Sequence, residues 1–159
     1  MVYQTYKKAE IAVGMLETAL DLYFTDGDGF SIIHLAAASE EVLAGLLKSE
    51  ANRSLQTSRE KTISALKLIH EVHHSTRKEE KEIVRSLNFV RNKTKHHDAK
   101  NDSHEILACL ELEVDLALWG AIENYILYFK APSEKALRYV NHLSRRGLGK
   151  RAIGPVAEN

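Results

Sequence analysis

Residues 106–129 read ILACLELEVDLALWGAIENYILYF, the most apolar stretch of the chain. It is far longer than a strand and holds no proline, so the pattern predicts a long helix at the centre of a core. Asp102 followed by Glu105 has capping-box spacing at one end, and Pro132 stops the pattern at the other. The helix is therefore expected over about residues 103 to 130, with Trp119, Tyr125 and Phe129 in the core.

Working outward, apolar residues recur at helical spacing in both directions and no segment alternates as a strand does. A first helix is expected over about residues 3 to 25, closed by the turn TDGDG. That turn opens like a calcium loop, but Phe30 and Ala37 stand where further ligands are required. The next helix, FSIIHLAAASEEVLAGLLKSE, has small residues at Ala36, Ala37 and Ala38 that let a neighbour approach closely. His34, Glu40 and Glu41 interrupt its apolar face. They read as a half-buried, hydrogen-bonded histidine and a solvated acidic edge, or as acids that orient a basic residue in a site. Thr57 with Glu60 and Thr76 with Glu79 place capping boxes at the start of a third and a fourth helix. Ser133 can cap a last, shorter helix reaching about Arg146. The expected fold is all-α, an up-and-down bundle of about five long helices plus a short C-terminal one. The domain is expected over residues 1–146, with 147–159 as a flexible tail.

Composition narrows the class. The chain has 159 residues, and 22 Lys plus Arg balance 22 Asp plus Glu, so any nucleic-acid partner must meet a local patch. A single cysteine, Cys109, excludes an internal disulfide and is expected to be a buried structural residue. No apolar run at MVYQTYKKAE resembles a signal peptide, and no uncharged stretch approaches a membrane span, so a cytoplasmic protein is expected.

Short motifs sort quickly. His70-Glu71-Val72-His73-His74 spells H-E-x-x-H, but the helix is expected to end directly after it and Arg77 stands where a metzincin glycine belongs. No metal or other cofactor is expected. GLGK at 147–150 lacks the upstream glycine and the Ser or Thr of a P-loop. No G-x-S-x-G is present.

The remaining concentration of chemistry is NFVRNKTKHHD, residues 88–98. On a helical wheel Ile83, Leu87, Val90 and Thr94 share the face expected to meet the core. Arg85, Phe89, Asn92 and His96 lie opposite, and an aromatic among polar groups marks Phe89, with Arg85, as a dimer contact. Arg91 falls about 140° from His96 on an unbroken helix. The two can therefore meet one phosphate only if the helix unwinds or a second chain supplies a partner. Taken alone, the stretch also reads as a solvated basic helix end.

Arg91-Asn92, then His96 preceded by Lys95, resembles the R-N-x3-H motif of the HEPN superfamily, at the end of a penultimate long helix. The resemblance implies two motifs meeting across a homodimer cleft to cleave RNA without metal. It makes Arg91, Asn92 and His96 the catalytic set: His96 as general acid or base, Arg91 stabilising phosphoryl charge and Asn92 orienting one of them. Lys93, Lys95, His97 and Lys100 would attract RNA, with His97 a second candidate imidazole. An antitoxin or other partner protein is also implied. Asp98 occupies the position of the tyrosine that antitoxin-paired members carry. The other reading within the family is a non-catalytic helical protein that binds RNA or a partner.

Overall fold

A computed structural model describes residues 3–50, 55–74, 76, 78–95 and 105–146. Its elements are α1 (Lys8–Phe24), α2 (Gly29–Glu50), α3 (Ser58–His74), α4 (Glu80–Leu87), α5 (Phe89–Lys95), α6 (Leu110–Phe129) and α7 (Glu134–Arg146). Every regular element among the described residues is an α-helix, as expected.

The helix α2 is the packing centre, lying between α1 and α6. Leu16 and Leu20 of α1, Ala36 of α2 and Leu118 and Ala121 of α6 are wholly buried. Each buried leucine contributes about 1.5–3 kcal/mol. Small residues allow the close approach: a Cβ added at Gly120 would lie 3.2 Å from Glu40 Cδ. By length and composition Gly29–Ser49 could cross a membrane, with mean hydropathy 1.5, although it carries Glu40, Glu41 and Lys48. Within the fold 44% of that apolar window is buried.

The turn TDGDG joins α1 to α2 by backbone geometry. Asp26 adopts φ 51°, and Gly27 N donates to Leu22 O at 2.7 Å. This is the six-to-one bond of a Schellman end. A Cβ at Gly27 would fall 2.8 Å from Leu22 Cδ2, which explains the glycine. Asp28 then caps α2, its Oδ2 accepting Ser31 N at 2.7 Å.

Two expected caps form. Thr57 N donates to Glu60 Oε2 at 2.9 Å and Glu60 N donates back to Thr57 Oγ1 at 3.4 Å. Ser133 Oγ accepts Ala136 N at 3.2 Å at the start of α7. Tyr139 of α7 is wholly buried, and its hydroxyl donates to Asp115 of α6 at 2.8 Å.

Several expectations are corrected. Thr76 and Glu79 form no capping box, because Glu79 itself is the N-cap residue of α4 and makes no side-chain cap bond. The fourth helix is interrupted at Asn88, giving α4 and α5. The apolar helix begins at Leu110 rather than near 103, since residues 105–109 are not helical. Cys109 is consequently its exposed N-cap residue and not a buried core thiol. Trp119 and Phe129 are 47% and 41% exposed, while Tyr125 is half-buried and packs against the core as expected. The core face of α6 is instead Val114, Leu118, Ala121, Ile122 and the polar Asn124. The tail 147–159 lies outside the described residues.

Candidate functional site

Helix α5 is short, so its position depends on what it rests against. Val90, 1% exposed, inserts into the core, as the wheel required. Two polar contacts then fix its rotation on α2. Thr94 Oγ1 lies 2.8 Å from His34 Nε2 and also donates within α5, to Val90 O at 2.9 Å. Arg91 Nη1 lies 2.6 Å from Glu41 Oε1.

The hydrogen bonds define the state of His34. Its Nδ1 is buried without a partner. An Nε2–H donating to Thr94, whose hydroxyl donates onward to Val90 O, accounts for the whole arrangement. Protonation would place a second N–H where nothing accepts it. Burial accordingly holds the imidazole below its usual pKa, with the nearby Lys95 and Arg91 charges adding to the effect and Asp28 opposing it. His34 is thus the half-buried, hydrogen-bonded residue expected.

The acidic pair is split: Glu41 is exposed as expected, whereas Glu40 is buried. Glu40 is 8% exposed and faces Arg59 Nη2 at 3.4 Å, while Glu41 holds Arg91. Glu41 thus meets a basic residue of the motif across two helices. Neither contact was legible as spacing, because each joins separate helices.

Arg91 is mostly covered, its side chain 14% exposed against 52% for Glu41. The contact is ionic rather than an aligned hydrogen bond, and Arg91 Nε has no hydrogen-bond partner. Asn92, Lys93 and Lys95 are exposed on the same helix. Arg85 and Phe89 are also exposed, on the outer side of α4 and α5. The motif's first two residues therefore face differently: Arg91 toward α2 and Asn92 toward solvent. His96, His97 and Lys100 lie outside the described residues.

No family model, curated protein or solved structure matches the chain.

Beside Arg91 a cavity of about 80 Å³ opens between α2, α3, the α4–α5 junction and α6. Ile33 and Ala37 give it an apolar floor, and Asn88, Arg91 and Trp119 reach its wall. Asn88 Oδ1, like Arg91 Nε, is buried and unpartnered. Glu113, on the α6 side, has its carboxyl pushed above the usual range by burial. Sequence reasoning missed this cavity. Its one local signal was Asn88, a poor helix former where the helix breaks.

In the H-E-x-x-H segment, His70 Nδ1 lies 2.8 Å from Thr76 O, and the His70 and His74 rings lie 4.6 Å apart, tilted by 45°. His70 and His74 do share a helix face. Among the described residues no three His, Cys, Asp or Glu side chains are grouped to hold a metal.

Proposed function

We propose that this chain is an HEPN-like, metal-independent endoribonuclease, or toxin-like RNA-processing protein, that acts as a cytoplasmic homodimer. The observation that carries this reading is the Glu41–Arg91 contact at 2.6 Å, which orients the motif arginine from a separate helix. Exposed Asn92, Lys93 and Lys95 follow it on the same helix and offer charge for RNA phosphates.

In this reading His96 takes the proton from a ribose 2′-hydroxyl as that oxygen attacks the adjacent phosphorus. The departing 5′-oxygen takes its proton from water, and the protonated imidazole returns its own proton to solvent. Arg91 neutralises charge building on the phosphoryl oxygens, with a planar fork suited to that role. Asn92 orients the reacting groups. The products are a 2′,3′-cyclic phosphate and a 5′-hydroxyl. Exposed Phe89 and Arg85 supply the contact between chains, and a twofold axis brings each motif opposite its copy.

A second reading, a non-catalytic HEPN-like protein that binds RNA or a partner such as an antitoxin, is favoured by the burial of Arg91 and its neutralisation by Glu41.

Bulk RNA incubated with the protein in EDTA separates the two, alongside His96→Ala and His97→Ala variants. Cleavage to cyclic-phosphate ends, lost in the His96 variant and kept in the His97 variant, is the expected result. Intact RNA that is nonetheless retarded in a salt-sensitive way selects the binding reading. A monomeric particle at working concentration removes the two-chain mechanism.

A further inference from the structure

We propose that the exposed face of α7 from Arg138 to Arg145 is a track for the sugar-phosphate backbone of a single RNA strand. The proposal rests on the RNA reading above and adds a second contact surface to it.

Ion pairing sorts the cations of this helix into two kinds. Lys135 is engaged by Glu17 and Asp21 of α1, and Arg146 by Glu111 and Asp115 of α6. Arg138 and Arg145 are exposed and make no ion pair among the described residues. Arg138 is steadied by the Phe24 ring instead, its Cζ 3.9 Å from the ring centroid. The helix carries four Lys and Arg against one Glu, in a chain whose total charges balance. Charge for a polyanion is therefore local to this face.

Spacing says what kind of anion fits. Seven residues separate the two arginines, which is about 10 Å along the axis and only about 20° around it. They stand in line on one face and reach separate phosphates, as a polymer offers, rather than closing on one. Exposed Asn141 and His142 lie between them. With Phe24 and Leu137 these residues line a shallow groove of about 860 Å³, and Leu137 is 49% exposed. Glu134 is the one carboxylate lining it among the described residues. In such a groove cations follow the backbone of a single strand while ring and apolar side chains receive its bases. An acidic peptide engages the cations alone.

Position links the face to the motif helix. Thr94, in the last turn of α5, meets His34 near the start of α2. A Cβ at Gly29, the first residue of α2, would lie 2.8 Å from Leu110 Cδ2, on the first residue of α6. Arg146, the last residue of α7, pairs with Glu111 and donates to the Tyr23 hydroxyl at 2.9 Å. The last turns of α5 and α7 thus lie at one end of the bundle, with the starts of α2 and α6 between them. Of the carboxylates there, Asp28 is taken by Ser31 N, and Glu111 and Asp115 by Arg146, which leaves Asp26 exposed. A strand resting on exposed Lys95 can extend to Arg145 and Arg138.

The full chain is titrated into a labelled 2′-O-methyl oligouridylate, which has no free 2′-hydroxyl to attack, and anisotropy is read at several KCl concentrations. Arg138→Gln with Arg145→Gln is expected to weaken binding about 25-fold at about 0.1 M salt and to make the salt slope shallower by about 1.4. Because Arg138 packs on Phe24, Arg145→Gln is also measured alone, with about a fivefold loss and a slope change of about 0.7 expected. The double Arg→Lys variant keeps both charges and is expected to keep the slope. Lys7→Gln with Lys8→Gln removes equal charge from the far end of α1, about 25 Å from Phe24, and is expected to change affinity less than about twofold. Circular-dichroism melts check that each variant folds. An unchanged slope in the arginine variants, or an equal loss in the Lys7 and Lys8 control, overturns the proposal. Equal displacement of the oligonucleotide by charge-matched polyglutamate also overturns it and assigns the face to an acidic peptide. Binding that ignores α7 leaves the RNA reading standing, whereas no binding by the parent chain removes both. Binding that depends on α7, without cleavage of unmodified RNA, sinks the nuclease reading and keeps the track.

Discussion

Replacing Glu41 by Gln keeps the shape of the side chain and removes the charge that faces Arg91. Two consequences differ in size and can be measured separately. The first is stability: Glu41 is about half exposed, so the loss is expected near 1 kcal/mol, or roughly 3 °C in Tm. The second is RNA affinity. An anion about 6 Å from a bound phosphate opposes it by roughly 0.7 kcal/mol at the dielectric of water and about 2.8 kcal/mol at an effective value of 20. Removing it therefore strengthens binding by between roughly 3- and 100-fold. If Arg91 then takes a phosphate of its own, the slope of log affinity against log salt steepens by about 0.7 for single-stranded RNA. Fluorescence anisotropy with a labelled oligonucleotide at several KCl concentrations, beside urea unfolding, reads both. Unchanged affinity and slope, joined to a loss above about 3 kcal/mol, is the signature of a buried charge left unpaired. That pair of results refutes a role for Arg91 at a phosphate and makes the contact purely structural.

Other perturbations test the frame that holds the site. Asn124 is wholly buried, accepts Ser58 N at 2.8 Å and donates to Glu40 O at 3.1 Å, so it ties α6 to both α3 and α2. Asn124→Leu leaves the Ser58 donor unserved, and a loss of about 2–4 kcal/mol is expected in urea unfolding; a change within about 1 kcal/mol would falsify that account of the tie. At Gly120 two effects oppose each other. Alanine gains up to about 1 kcal/mol of helix propensity but meets Glu40 Cδ at 3.2 Å, so Gly120→Ala is expected near neutral and Gly120→Val at a loss of about 2 kcal/mol or more. His34 gives a pH dependence. Its pKa is lowered in the folded chain, so the unfolded chain binds more protons and stability falls as pH drops below about 6.5. A His34→Gln variant keeps a donor for Thr94 without titrating there; if its stability falls equally steeply between about pH 6.5 and 5, another group is responsible.

Much of the architecture was legible because local signals specify it. The Thr57–Glu60 box and the Ser133 cap are written in adjacent residues and form as spaced. The misreadings share a cause. Residues 106–109 have helical periodicity, but that signal says nothing about where a chain must turn, and the helix starts only at Leu110. Apolar character likewise ranked Trp119 above Asn124 as a core residue. The structure reverses this, because Asn124 serves two backbone groups of other helices whereas Trp119 borders an opening. Burial of a polar side chain is decided by partners remote in sequence, which no single segment reveals.

The same limit governs the site, and here it sharpens the functional argument. Pattern alone could place Arg91 and Asn92 on one helix but could not say which of them turns inward. With Arg91 held against α2, a residue five positions further along an unbroken helix faces about 140° away. One chain cannot then present both an Arg91 and a His96 to a single phosphate through that helix. Either the chain turns after Lys95, or the imidazole comes from a second copy. Mixing Arg91→Ala with His96→Ala protein decides between them. Heterodimers carry one intact arginine and one intact histidine, on different chains. If the active pair crosses between chains, activity returns toward a quarter of the parent's on equal mixing, since half the dimers are mixed and each keeps one of two sites. If both groups act from one chain, no mixture recovers cleavage.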